Sequence, residues 1–91
     1  MRVLLIEDDP MIGKSLALSL REQDMSVDWT QNGLEGEEAL SVGGGYALVL
    51  LELGLPGKHG LKVLKSLRAA GTAFLSWLSP PAARSTSASP V

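Results

Sequence analysis

The sequence predicts a doubly wound parallel α/β sheet, and three observations carry that expectation. Val3-Leu4-Leu5-Ile6 and Ala47-Leu48-Val49-Leu50-Leu51 are short, unbroken apolar runs, as strands buried on both sheet faces require. Each run stops at acids, Glu7-Asp8-Asp9 after the first and Glu52 after the second. Between and after the runs lie stretches with helical periodicity, giving the order β-α-β-α-β-α that a parallel sheet needs.

The first strand covers Val3 to Ile6. Asp9-Pro10 then opens a helix, with Asp9 as N-cap and Pro10 in the first helical position. Met11, Ile12, Leu16, Leu18 and Leu20 are expected along one side of that helix, which runs to about Gln23. Residues 26–30 read as the second strand, and Asn32-Gly33 as a turn. A second helix is expected over residues 34–41, with Glu35, Glu37 and Glu38 exposed near its positive end. Gly43-Gly44-Gly45 reads as a connector. The third strand spans residues 47–53, and residues 54–60 form a Gly/Pro loop. A third helix over residues 61–70 carries Leu61, Val63, Leu64 and Leu67 inward and Lys62, Lys65 and Arg68 outward. Gly71 ends it.

Beyond Phe74 the composition changes. Leu75-Ser76-Trp77-Leu78-Ser79-Pro80-Pro81 leads into a tail rich in Ser, Pro and Ala. Paired prolines exclude a central strand, so residues 75–91 are expected to be irregular and Trp77 to have no core to join. The organisation expected is a partial α/β domain over residues 1–74 and an irregular tail over residues 75–91.

Composition narrows the function classes. A 91-residue chain holds one small domain, and 45% hydrophobic with 20% charged residues is globular usage. A net charge of −2 does not favour a general nucleic-acid or membrane surface. The apolar runs are far too short to span a bilayer, and Met1-Arg2 leads straight into a strand without a signal peptide's apolar stretch. The absence of cysteine excludes disulfide scaffolds and thiolate chemistry. A cytoplasmic protein is expected.

The acids hold the functional interest, because carboxylates at the carboxyl ends of parallel strands stand where such sheets bind ligands. Residues 1–74 resemble the receiver domains of two-component response regulators, particularly those joined to winged-helix DNA-binding domains. The resemblance rests on Val3-Leu4-Leu5-Ile6-Glu7-Asp8-Asp9-Pro10, Asn32-Gly33, Leu48-Val49-Leu50-Leu51, Leu55-Pro56-Gly57 and His59-Gly60-Leu61, in matching order and spacing. It implies a flavodoxin-like receiver fold, here incomplete after the third helix. It also implies a protein that is not an enzyme but takes part in a phosphorelay controlling transcription.

By the same resemblance, Asp8 is a direct Mg²⁺ ligand and Glu7 an acidic neighbour. Gly54 lends its backbone carbonyl, and Pro56 and Gly57 shape the loop beyond. Glu52 occupies the phospho-acceptor position, where the family carries Asp, and is grouped with the metal site. The Ser/Thr and Lys that read out the phosphoryl group in the family have no counterpart here. The extra methylene of Glu52 misplaces the attacking oxygen and sets a negative charge nearer the phosphoryl position, so an inactive or activation-mimicking acceptor is expected. The implied partner is a sensor histidine kinase, with no direct nucleic-acid contact and no membrane contact from this chain. Without a fourth strand, the third would be an apolar edge inviting self-association.

Other readings are open. A stand-alone pseudo-receiver could dock a kinase without accepting phosphate. A Mg²⁺-dependent phosphatase of related topology would need a second Asp where Pro10 stands. His59, the one histidine, reads as a solvated loop residue. Back-translation of residues 74–84 with GC-rich codons, read from the third base, gives Pro-Val-Leu-Val-Val-Ser-Ala-Arg, a strand of the family's type. A frameshift near codon 74 is the corresponding expectation. A gene sequence with no receiver-like continuation in another frame would refute it.

Overall fold

The computed structural model describes residues 1–42, 45–54 and 59–77. The elements are β1 (Arg2–Ile6), α1 (Pro10–Glu22), β2 (Ser26–Thr30), α2 (Gly33–Ser41), β3 (Leu48–Glu52), α3 (His59–Ala70) and β4 (Phe74–Trp77). The strands form one parallel sheet in the order β2-β1-β3-β4. The chain turns outward to β2 on one side of β1 and to β3 on the other, so the strand order reverses between β1 and β3. Their carboxyl ends therefore flank the crevice where sheets of this topology bind ligands.

Side chains alternate across the sheet. Leu4, Ile6, Val49 and Leu51 face α2 and α3, meeting Val63 and Leu67. Val3, Leu5 and Val27 face α1 and Ala17, with Leu48 and Leu50 packed alongside. β1 is one of the two interior strands, with Val3 to Ile6 fully buried, which is why it reads as an unbroken apolar run. On α3, Val63 and Leu67 are buried and Lys62, Lys65 and Arg68 exposed, as the spacing predicts. Gly71 closes α3 at φ +70°, and the Thr72 N–H reaches the Leu67 carbonyl at 3.1 Å.

Besides shifts at element ends, among them α3 beginning at His59 where the sequence reads a loop over residues 54–60, the structure departs from the sequence reading at four places. First, α1 does not bury the side carrying Met11 and Leu18, both largely exposed; Gly13 and Ala17 are buried, with Leu16 and Leu20 beside them. The cause is Trp29, whose indole lies against Gly13 so closely that a Cβ there would come within 2.2 Å of Cζ2. Second, Asn32 is the N-cap of α2, accepting from the Glu35 N–H at 2.8 Å, so the helix starts earlier than a turn at Asn32-Gly33 implies. Third, Glu37 is partly buried instead of exposed.

The fourth departure is the largest. Leu75, Ser76 and Trp77, expected in an irregular tail over residues 75–91, join Phe74 in the strand β4, paired in parallel with β3 from Val49↔Phe74 to Glu52↔Trp77. β3 is therefore interior, not an edge, and Trp77 packs into the α1-side core. The prolines at 80 and 81 that argue against a central strand come after these four residues. The expectations for residues 78–91, Gly43-Gly44, and Leu55 through Lys58 lie outside the described residues, as do the side chains of His59 and Leu61.

Candidate functional site

The acids at the ends of β1 and β3 are brought together by the sheet register. Leu5 pairs with Leu50 and Ile6 with Leu51, so Glu7 and Glu52 follow each other across the same strand boundary. Glu7 and Glu52 are fully buried and Asp9 nearly so, while Asp8 is half-buried and Gly54 exposed. Buried carboxylates at strand ends are costly unless hydrogen-bonded, and the local backbone supplies bonds to each. The Asp9 N–H donates to Glu7 Oε1 at 3.0 Å, and the Gly54 N–H donates to Glu52 Oε1 at 2.8 Å.

The Glu7 main chain is fixed from two more directions. Its N–H donates to the Thr30 carbonyl at 3.1 Å, and its carbonyl accepts from Trp29 Nε1 at 2.9 Å. Asp9 Oδ1 accepts from the N–H groups of Met11 and Ile12 at 2.9 and 3.1 Å, which is the N-cap the sequence predicts. Asp9 thus serves the helix, while Glu7 beside it is fully buried and Asp8 half-buried. Glu52 is the final residue of β3, and the following Leu53 N–H is held by the Trp77 carbonyl at 2.7 Å.

The donor set of Glu7, Asp8, Glu52 and the Gly54 carbonyl consists of hard oxygens. Among the described residues no three Asp, Glu, His or Cys side chains form a group that could hold a metal ion. Mg²⁺ usually takes only one or two carboxylates and keeps several waters, so the oxygen type of these groups suits that ion, while one Glu52 oxygen is turned back onto its own loop.

Two contributors escape a reading of the sequence alone. Trp29 holds the Glu7 carbonyl from the neighbouring strand, and Trp77 stands opposite Glu52 in the β3–β4 register. The signal for the first was Gly13, a glycine inside a helix, which marks a close approach of another group. No helix among the described residues is long and apolar enough to cross a membrane.

Comparison with known proteins agrees with this geometry. The family described as the response regulator receiver domain matches residues 3–78. The chain is 44% identical over 71 residues to the transcriptional regulatory protein QseB of Escherichia coli, covering 78% of this chain and 32% of that protein. It is 39% identical over 71 residues to the response regulator protein PmrA of Pseudomonas aeruginosa, with the same coverage. The chain thus spans about a third of the length of these curated relatives.

Among solved structures, the BeF3-activated N-terminal receiver domain of Klebsiella pneumoniae RstA superposes with a TM-score of 0.73 at 31% identity. That match covers 88% of this chain and 70% of the other. The response regulator TrrA of Thermotoga maritima, in complex with Mg²⁺ and BeF, gives 0.72 at 31% identity over 85% of this chain and 66% of that one. With its parallel sheet ordered β2-β1-β3-β4 and acids ending the two central strands, the chain belongs to the response regulator receiver domain family.

Proposed function

We propose that this chain is the receiver part of a two-component transcriptional regulator whose acceptor position no longer takes a phosphoryl group. The observation that carries the reading is the Glu52 carboxylate, fully buried at the end of β3 with Oε1 accepting the Gly54 N–H at 2.8 Å. An acceptor must present an oxygen in line with the incoming phosphorus, and small misplacements cost large factors in rate. Glu52 is longer than the family's Asp by one methylene, and the same extension puts a fixed negative charge toward the phosphoryl position. The crevice is then held in one charge state, and the module acts as a docking partner for a sensor histidine kinase more than as a switch.

Glu7, Asp8, Glu52 and the Gly54 carbonyl are the groups that would hold Mg²⁺. When bound, the ion neutralises charge on a transferring phosphoryl group. The relatives are named as regulators and not as enzymes, and a signalling role without turnover is the reading adopted for this chain. We further infer that the β4 edge supports self-association. A cytoplasmic setting suits a partner of a kinase's inner domain.

The test is incubation with a small-molecule phosphodonor and Mg²⁺, followed by intact-mass measurement, with a Glu52→Asp variant in parallel. A mass increase of one phosphoryl group on the variant alone supports the reading. The same increase on the wild-type chain would overturn it. Kinase binding that persists in both would support the docking role.

A further inference from the structure

The carboxyl end of β1 is tied down by a side chain from the neighbouring strand. The ladder between β1 and β2 ends at Ile6↔Thr30, so the Glu7 carbonyl lies past its last pair. Trp29 Nε1 donates to that carbonyl at 2.9 Å. Two further elements shape the contact. Trp29 stands in β2, and its indole lies against α1, where Gly13 leaves room for it: a Cβ at position 13 would come within 2.2 Å of Cζ2. A larger residue there would push the indole off the place from which its N–H reaches Glu7.

The bond acts on Asp8 through the backbone. A peptide unit is planar, so the Glu7 carbonyl and the Asp8 nitrogen and Cα move as one body. Holding the Glu7 oxygen fixes the plane on the amino side of Asp8. The plane on its carboxyl side contains the Asp9 N–H, which donates to Glu7 Oε1 at 3.0 Å. Both planes flanking Asp8 are thereby set by hydrogen bonds, and with them the direction of its Cα–Cβ bond. A bond that satisfies a strand-end carbonyl helps the fold wherever it lies; what matters here is the residue it steers. Mg²⁺ demands near-octahedral geometry and short oxygen contacts, so the value of Asp8 as a ligand depends on where its carboxylate stands. Groups that hold a metal ligand in place typically contribute roughly ten- to hundredfold in affinity.

We propose that Trp29 is a positioning residue of the acidic crevice: its indole N–H, acting through the Glu7–Asp8 peptide, orients Asp8 for divalent-cation binding. The inference rests on the reading in which Glu7 and Asp8 hold Mg²⁺, and it adds to that reading a β2 residue that supplies no ligand oxygen. The state of Glu52 does not enter it.

The test is an amide and indole NMR titration of the full 91-residue chain with MgCl₂ at constant ionic strength, repeated on two altered chains. Trp29→Phe removes the donor and shrinks the ring, and its spectrum distinguishes the Trp29 indole signal from that of Trp77. A synthetic chain with 3-benzothienylalanine at position 29 keeps the bicyclic ring beside Gly13 and puts sulfur in place of the N–H, so the donor is lost with the packing retained. In the unaltered chain the Asp8 amide and Trp29 indole signals are expected to shift saturably with one shared constant. The benzothienyl chain is expected to bind Mg²⁺ roughly tenfold more weakly, and Trp29→Phe at least as weakly. Shifts of folded-state amides report the affinity of the folded chain, so lost stability alone does not produce this change. A Trp29 indole signal that stays in place while Asp8 titrates, or equal affinity in the benzothienyl chain, would overturn the inference and leave the Mg²⁺ reading standing. No saturable shift at Glu7 or Asp8 in the unaltered chain would instead overturn the Mg²⁺ reading, and this inference with it.

Discussion

Two side chains show how single residues set this structure, and each gives a prediction. Gly13 exists for Trp29: a Cβ at position 13 would sit 2.2 Å from the indole, and the same indole anchors the Glu7 carbonyl. In an exposed helix Gly→Ala gains up to about 1 kcal/mol, but overpacking costs about 1–3 kcal/mol. Gly13→Ala is thus expected to lose about 1 kcal/mol net, read from urea midpoints, and to shift the Glu7 amide signal; a gain in stability would refute the contact. The second case is Asp28, bonded to Tyr46 Oη at 2.6 Å and to Arg2 at 3.0 Å. The Tyr46 hydrogen bond is the largest influence and holds its carboxyl below the usual range, opposed next by desolvation and then assisted by Arg2. A lowered folded pKa means stability present above the unfolded carboxylate range and lost as pH falls through the folded value. Both partners of the ion pair are about half exposed, so Asp28→Asn is expected to cost only ~0.5 kcal/mol at neutral pH. The deficit should vanish in strong acid. Burial, then Asp28, also raises the Tyr46 phenol, so its ultraviolet titration should move partway back in the variant. Glu7, Asp8 and Glu52 were legible in the sequence because acids ending apolar runs mark strand ends. The Trp29 contact was not, since it depends on how a neighbouring strand sits over a helix.

At the scale of elements, the strands and helices that announce themselves are those with a full period of pattern. β1 and β3 are runs buried on both faces, and α1 carries its own start signal in Asp9-Pro10. β4 is different. Four residues, Phe74-Leu75-Ser76-Trp77, are too few to display alternation, and the Pro-rich stretch after them dominates any window that includes them. Their strand conformation comes from pairing with β3, a contact distant in sequence, which local propensity does not report. The inner stripe of α1 departs from its apolar pattern for a related reason: its buried members are Gly13 and Ala17, small residues that carry little hydrophobic signal. This difference between self-specified and partner-specified elements should appear in their dynamics. Leu53 N–H bonds to the Trp77 carbonyl and Val49 N–H to the Ala73 carbonyl across the β3–β4 seam. Those amides are expected to exchange with solvent at least tenfold faster than the amides of β1, since edge pairing opens locally while central pairing opens with the whole fold. Equal protection of the two sets, measured by hydrogen exchange, would mean that β4 is as integral as β1.

Over the whole molecule, the two faces of the sheet are unequally covered. α2 and α3 together close the side holding Leu4, Ile6, Val49 and Leu51. On the other side α1 spans Val3, Leu5 and Val27, and past it lies a groove of about 520 Å³ lined by Ile12, Leu16, Leu50, Leu75 and Trp77. Leu75 is 61% exposed there, on the strand that forms one edge of the sheet among the described residues. Apolar surface beside an edge strand promotes chain-to-chain pairing, and a domain of this size has little stability in reserve to suppress it. Sedimentation velocity is expected to show a mean mass that rises with concentration and does not fall in added salt, because apolar contacts are not screened as ion pairs are. Leu75→Lys places a charge where natural edge strands carry one. It is expected to weaken the association by on the order of tenfold, about 1.4 kcal/mol, while leaving the Val63 and Leu67 core on the opposite face intact. A wild-type chain that stays monomeric at every concentration, with a cooperative thermal transition, would show that the groove is closed in solution and that β4 carries its own cover.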